Sequence, residues 1–118
     1  MIGMPVLRTL LVVTMALSAC LLGPRFASAA EHTIAITHME LQEIKEELRV
    51  GDVVTFVNEA DMAHNLYITY EDGSVDNLDT QTPGMKRTVT LKHAGPAVIK
   101  CWIHPIIRAD IEILDRAE

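Results

Sequence analysis

Residues 50–70 read VGDVVTFVNEADMAHNLYITY. Within this stretch Val54 and Phe56, then Leu66, Ile68 and Tyr70, recur at every second position. A strand turns successive side chains to opposite faces, so this period reads as two β-strands, Val53–Val57 and Asn65–Tyr70, each with one buried face. Gly51-Asp52 supplies a turn before the first, and Glu71-Asp72-Gly73-Ser74 a turn after the second.

The same pattern extends outward. His32–Thr37 sets Ile34 and Ile36 on one face, and Arg87–Leu91, Ala97–Trp102 and Asp110–Leu114 alternate in the same way. Ile44–Val50 reads as a charged, edge-like strand, with a short helix over Gln42–Arg49 as the alternative. Residues 75–85, which contain Pro83-Gly84, read as a polar loop. About seven short strands separated by turn chemistry predict an all-β sandwich or barrel built mainly of antiparallel sheets.

Not all 118 residues belong to that domain. Residues 9–22 (TLLVVTMALSACLL) form an apolar run behind Arg8 that is shorter than the roughly 20 residues a bilayer requires. With Ala27-Ser28-Ala29 after it, the segment reads as a secretory signal peptide spanning 1–29. Leu17-Ser18-Ala19-Cys20 offers a rival lipoprotein site, but Cys20 lies inside the apolar run and not at its end.

Cleavage after Ala29 leaves residues 30–118 as one domain with no transmembrane segment. All sixteen acidic residues lie in it, against eight basic ones, a net charge of −8 with histidine neutral. Such a surface repels a phosphate backbone, which argues against nucleic acid as a partner. It is compatible with a basic protein partner and with plain solubility as a monomer.

Cys101 is then the only cysteine left in an oxidising compartment. A lone thiol there is a liability unless it is buried or bound. Cys101-Trp102-Ile103-His104 places a thiolate and an imidazole three positions apart, where a strand runs into a loop. His64, at the start of the Asn65–Tyr70 strand, is a candidate third donor. Two histidines and one cysteine in a plane form the blue-copper donor set.

Val50–Asn58, His64-Asn65 and Cys101-x-x-His104-Pro105, in that order, resemble the small cupredoxins such as plastocyanin and amicyanin. The likeness spans nearly the whole domain. It implies a Greek-key β-sandwich of about seven to eight strands and one copper ion, cycling between Cu(I) and Cu(II), on His64, Cys101 and His104. It also implies that Asn65 fixes the loops of the site, and that an apolar patch around the His104 edge meets redox partners.

The pattern departs from the family at one position. Amicyanin-like sequences carry methionine three residues after the second histidine, where this chain has Ile107, and no methionine follows Met85. An apolar cap that favours Cu(I) is the leading consequence. A fourth ligand from Glu59, Asp61, Met62 or Met85 is the alternative.

One-electron transfer in the periplasm is therefore expected, without enzymatic activity. A copper carrier or tolerance factor, and a metal-free interaction module, are the competing readings. His32, His38 and His93 read as surface residues, His32 at most an adventitious copper contact beside the new amino terminus, and Trp102 as a packing residue.

Overall fold

A computed structural model describes Gly3 and residues 28–116. The apolar run at 9–22 and Cys20 lie outside the described residues. Among the described residues no helix is long and apolar enough to cross a membrane.

The described chain forms nine strands: β1 Glu31–Thr37, β2 Glu40–Leu41, β3 Leu48–Arg49, β4 Val53–Asn58, β5 His64–Tyr70, β6 Val75–Gln81, β7 Lys86–Thr90, β8 Gly95–Cys101 and β9 Arg108–Leu114. One sheet has the order β2-β1-β4-β7 and the other β3-β9-β8-β5-β6. The expected all-β sandwich is present. Most neighbours are antiparallel, while β1 runs parallel to β4 and β3 parallel to β9.

The period of two decides what is inside. Val54 and Phe56 of β4 face Leu66, Ile68 and Tyr70 of β5 and Ala97 and Ile99 of β8 across a continuous core, which Ile34, Ile36, Leu91 and Ile113 complete. Phe56, Leu66 and Ile68 have no exposed surface. Truncating one such side chain to Ala costs about 3–5 kcal/mol, through lost burial and the cavity left behind. His64 and Cys101 continue this inward series at the end of their strands, β5 reading 64, 66, 68, 70 and β8 reading 97, 99, 101.

Three expectations change. Ile44–Val50 is strand only at Leu48–Arg49, and the alternative helix over Gln42–Arg49 is absent too. Only Leu48 in that segment is buried, with Glu43, Lys45, Glu46 and Glu47 exposed, so too little apolar surface is available to hold a longer strand.

Residues 75–85, expected as a loop, contain β6, an edge strand paired antiparallel with β5. Its outer face meets water and is polar, and a register shift near Asn65 and Tyr67 breaks its alternation. Asp79 lies in the left-handed region (φ 65°). Only Leu78 and Gln81 of β6 point inward as buried residues.

His32, expected at the surface, has a side chain only 8% exposed, because its Nε2 bonds Asp52 Oδ2 at 2.9 Å.

Candidate metal centre

The metal-ligating candidates converge at one end of the sandwich. His64 opens β5 with no exposed surface, and Cys101 closes β8 at 3% exposure. His104 follows in the loop between β8 and β9 and is half-buried. Cys101 Sγ is 4.0 Å from His64 Nδ1 and 3.8 Å from His104 Nδ1. The three donor atoms lie within 4.8 Å of one another. The imidazole centroids are 4.8 Å apart with planes inclined at 53°.

These distances can be compared with what a metal needs. With bonds of about 2.3 Å to sulfur and 2.0 Å to nitrogen at roughly 120°, the donors stand about 3.7 Å apart. The two sulfur–nitrogen distances meet that value within a few tenths of an ångström, so Cys101 stands at ligand spacing from each imidazole without rearrangement of the strands.

Asn65 binds the two ligand strands together. Its amide donates to Cys101 Sγ at 3.4 Å, and its carbonyl accepts from the Trp102 amide at 2.9 Å. Its side-chain Nδ2 donates to Thr80 Oγ1 at 3.3 Å, which reaches β6 as well. The resemblance implied that Asn65 fixes the loops of the site; the bonds it makes join β5 to the end of β8 and to β6. At the far side of the loop, the Ile107 amide donates to the His104 carbonyl at 3.0 Å and closes a turn around His104.

Burial lowers the pKa of His64, and the nearby charge of His104 lowers it further, whereas the His38 carbonyl acts in the opposite sense. His64 Nε2 is buried and lies outside the hydrogen-bonding limits of any partner among the described residues, so the His38 effect is the minor one. The balance favours neutral imidazole, the form that ligates metals.

The loop leading into His64 is held by residues whose part was not legible from sequence. Asn58, fully buried, donates from Nδ2 to the Met62 and Gln81 carbonyls at 2.9 Å and accepts the Ala60 amide on Oδ1. Gln81, also fully buried, donates from Nε2 to the Phe56 carbonyl at 3.0 Å and the Met85 carbonyl at 3.1 Å. Asn58 ends the Val50–Asn58 stretch, where nothing in the pattern of residues marks its side chain as a loop anchor. Gln81 was hidden because the shifted register of β6 disguises its inward position.

The proposed fourth ligands are arranged differently. Glu59 and Asp61 are exposed, and neither joins the donor cluster found among the described residues. Met85 Sδ accepts the Thr82 amide at 3.3 Å. Ile107 is buried at 2% exposure.

Trp102 packs on the surface and not in the core. It is 59% exposed and stacks on Tyr67 with a centroid distance of 4.0 Å and an 18° tilt, while its Nε1 donates to Asn77 Oδ1 at 2.9 Å. With Ile103 at 49% and Ile106 at 76% exposure, it forms an apolar border on the chain segment around His104.

No protein-family model matches the chain. It is 46% identical over 110 residues to the methylamine utilization protein MauL of Methylorubrum extorquens, an alignment covering 92% of this chain and 96% of that protein. It is 39% identical over 85 residues to the MauL of Methylophilus methylotrophus, covering 70% of this chain and 49% of that longer relative.

Among solved structures it resembles a reduced variant of amicyanin with a TM-score of 0.61 at 20% identity, over 74% of this chain and 85% of the other. A purple cupredoxin from Nitrosopumilus maritimus matches with a TM-score of 0.59 at 19% identity, over 70% of this chain and 98% of the other. At such identities these likenesses establish the fold.

Proposed function

Given that the chain belongs to the family of the methylamine utilization protein MauL and has the cupredoxin fold, we propose that it carries single electrons between redox proteins on one copper ion held by His64, Cys101 and His104. The observation that carries this reading is the convergence of two Nδ1 atoms and one thiol sulfur within 4.8 Å on a preformed β scaffold. Bound there, copper would supply the Cu(I)/Cu(II) couple.

The protein's own residues do the rest. Cys101 offers the thiolate, and the Asn65 amide stabilises its charge by a hydrogen bond to sulfur. His64 and Cys101 are held as core residues, so the donor positions are set by packing and change little with the charge of the ion. His104, half-buried and followed by exposed Pro105 and Ile106, is the edge through which a partner approaches. The name of these relatives makes a redox partner from methylamine utilization the natural candidate.

We read residues 1–29 as an export signal removed after Ala29, and residues 30–118 as a monomeric periplasmic carrier without catalytic activity. The main rival is a copper carrier or tolerance factor using the same three ligands. The burial of His64 and Cys101 favours electron transfer, because a carrier must surrender its ion through accessible ligands.

Adding Cu(II) to the apoprotein tests the proposal. An intense thiolate-to-copper absorption band that disappears in Cys101→Ser is expected. A colourless protein that binds no copper would exclude both copper readings and leave the metal-free module. Reversible one-electron voltammetry with slow copper release then separates electron carrier from metal carrier.

A further inference from the structure

We infer that Asp52 is a built receptor for the α-amino group released when the chain is cut between Ala29 and Ala30, an inference that rests on the processing proposed above. The Ala30 nitrogen lies 3.0 Å from Asp52 Oδ1. The Ala30 carbonyl accepts the Val53 amide at 3.0 Å, so both sides of this residue are pinned just before β1 begins. Asp52 itself is 2% exposed, whereas Ser28, Ala29 and Ala30 are exposed.

The covalent step is a hydrolysis. One water is consumed, the Ala29–Ala30 amide bond breaks, Ala29 keeps a carboxylate, and Ala30 gains an amine that takes up a proton near neutral pH. Before the cut, Ala30 offers Asp52 one neutral amide hydrogen. Afterwards the same nitrogen is an ammonium facing the same carboxylate, and a charge-assisted bond replaces a neutral one.

The surroundings of the pair set the sign. Arg116 Nη2 shares Oδ1 at 3.0 Å and opposes a second cation. His32 Nε2 lies against Oδ2 at 2.9 Å, and the Arg49 amide donates to the same oxygen at 3.0 Å. The Arg49 guanidinium is turned away toward Glu47 and the Asp115 carbonyl, and Glu31 is exposed. The ammonium then meets one carboxylate in direct contact and one partly exposed guanidinium, so its charged form is favoured.

A raised amine pKa contributes stability that is complete below the unfolded value, about 7.7–8.0, and is lost as pH rises through the folded value. Mass spectrometry of the exported protein first reads its amino-terminal residue. A start other than Ala30 overturns the processing and the inference together.

With Ala30 first, the pH dependence of amino-terminal acylation is expected to give a pKa about one unit above the ordinary range. The denaturation midpoint should also fall between pH 8 and 10 in this protein, but not in a chain that retains Ser28 and Ala29. An ordinary amine pKa, or parallel pH profiles for the two chains, overturns the inference while leaving the processing intact. Asp52→Asn should return the amine to its ordinary value. If that variant does not fold, the comparison of the two wild-type chains decides alone.

Discussion

The Asn65 amide reaches across from β5 to donate to the sulfur of Cys101, 36 residues later, at 3.4 Å. Leu66 and Cys101 are direct partners in the β5–β8 ladder. The ladder thereby sets Asn65 one residue from the thiol, and His64 follows on the inward side. The centre is thus assembled by main-chain register as much as by its ligands.

Removal of the metal should leave the fold in place, because His64 and Cys101 end strands whose inward side chains already pack as one apolar core. Chelation is expected to keep the far-ultraviolet circular dichroism unchanged while lowering Tm. The stability lost is the ligand-linked part, about 2.7 kcal/mol at a free copper concentration 100 times Kd. Loss of β signal on chelation would show that the metal organises the scaffold.

Ile107 occupies the position where the family pattern places a methionine, and it is buried. Ile107→Met nearly conserves volume and should cost less than about 1.5 kcal/mol. A thioether over the ion would stabilise Cu(II), so the reduction potential should fall and the absorption spectrum should shift. An unchanged potential and spectrum would show that residue 107 does not face the metal.

Asp52 is the most strongly held carboxylate at the opposite end of β4. Burial works against its ionisation, yet the bonds from His32, the Ala30 and Arg49 amides and Arg116 together lower its pKa to about 2. A depressed carboxylate contributes stability that is complete above its unfolded pKa, near 3.8, and is lost as pH falls through the folded value. About 2 kcal/mol should therefore disappear between pH 4 and pH 2. Urea unfolding across this range, compared with Asp52→Asn, checks it; equal acid sensitivity in both proteins contradicts it.

Gly95 opens β8 at φ 110°, a conformation that side chains rarely adopt, and a Cβ there would meet the Glu71 carboxylate. The Glu71 side chain is exposed and can move, but the backbone angle cannot relax without disturbing the pairing of Gly95 with Ile113. Gly95→Ala should cost about 1–3 kcal/mol. Adding Glu71→Ala should recover little of it in thermal unfolding. Full recovery would assign the cost to the contact and not to the angle.

Much of this was legible along the chain. Alternation at Val53–Val57, Asn65–Tyr70 and Ala97–Trp102 marked strands, since side-chain direction along a strand is a local property of the backbone. Cys101 and His104 were legible as a pair because three residues at a strand end keep them close. β6 escaped notice because it is an edge strand with a polar face and a broken register. Ile44–Val50 misled because its few apolar residues are set among exposed charges and only Leu48 is fully buried.

By itself, then, the sequence determined strands β1, β4, β5, β7, β8 and β9, their inward faces and the identity of the candidate ligands. Only the tertiary structure decided that His64 meets a thiol 37 residues away, that Trp102 lies outside on Tyr67, and that His32 is drawn in by Asp52. The reason is physical. Periodicity is written in neighbouring residues, whereas the partner across a sheet depends on register and on which segments pack together, and these are properties of the folded chain as a whole.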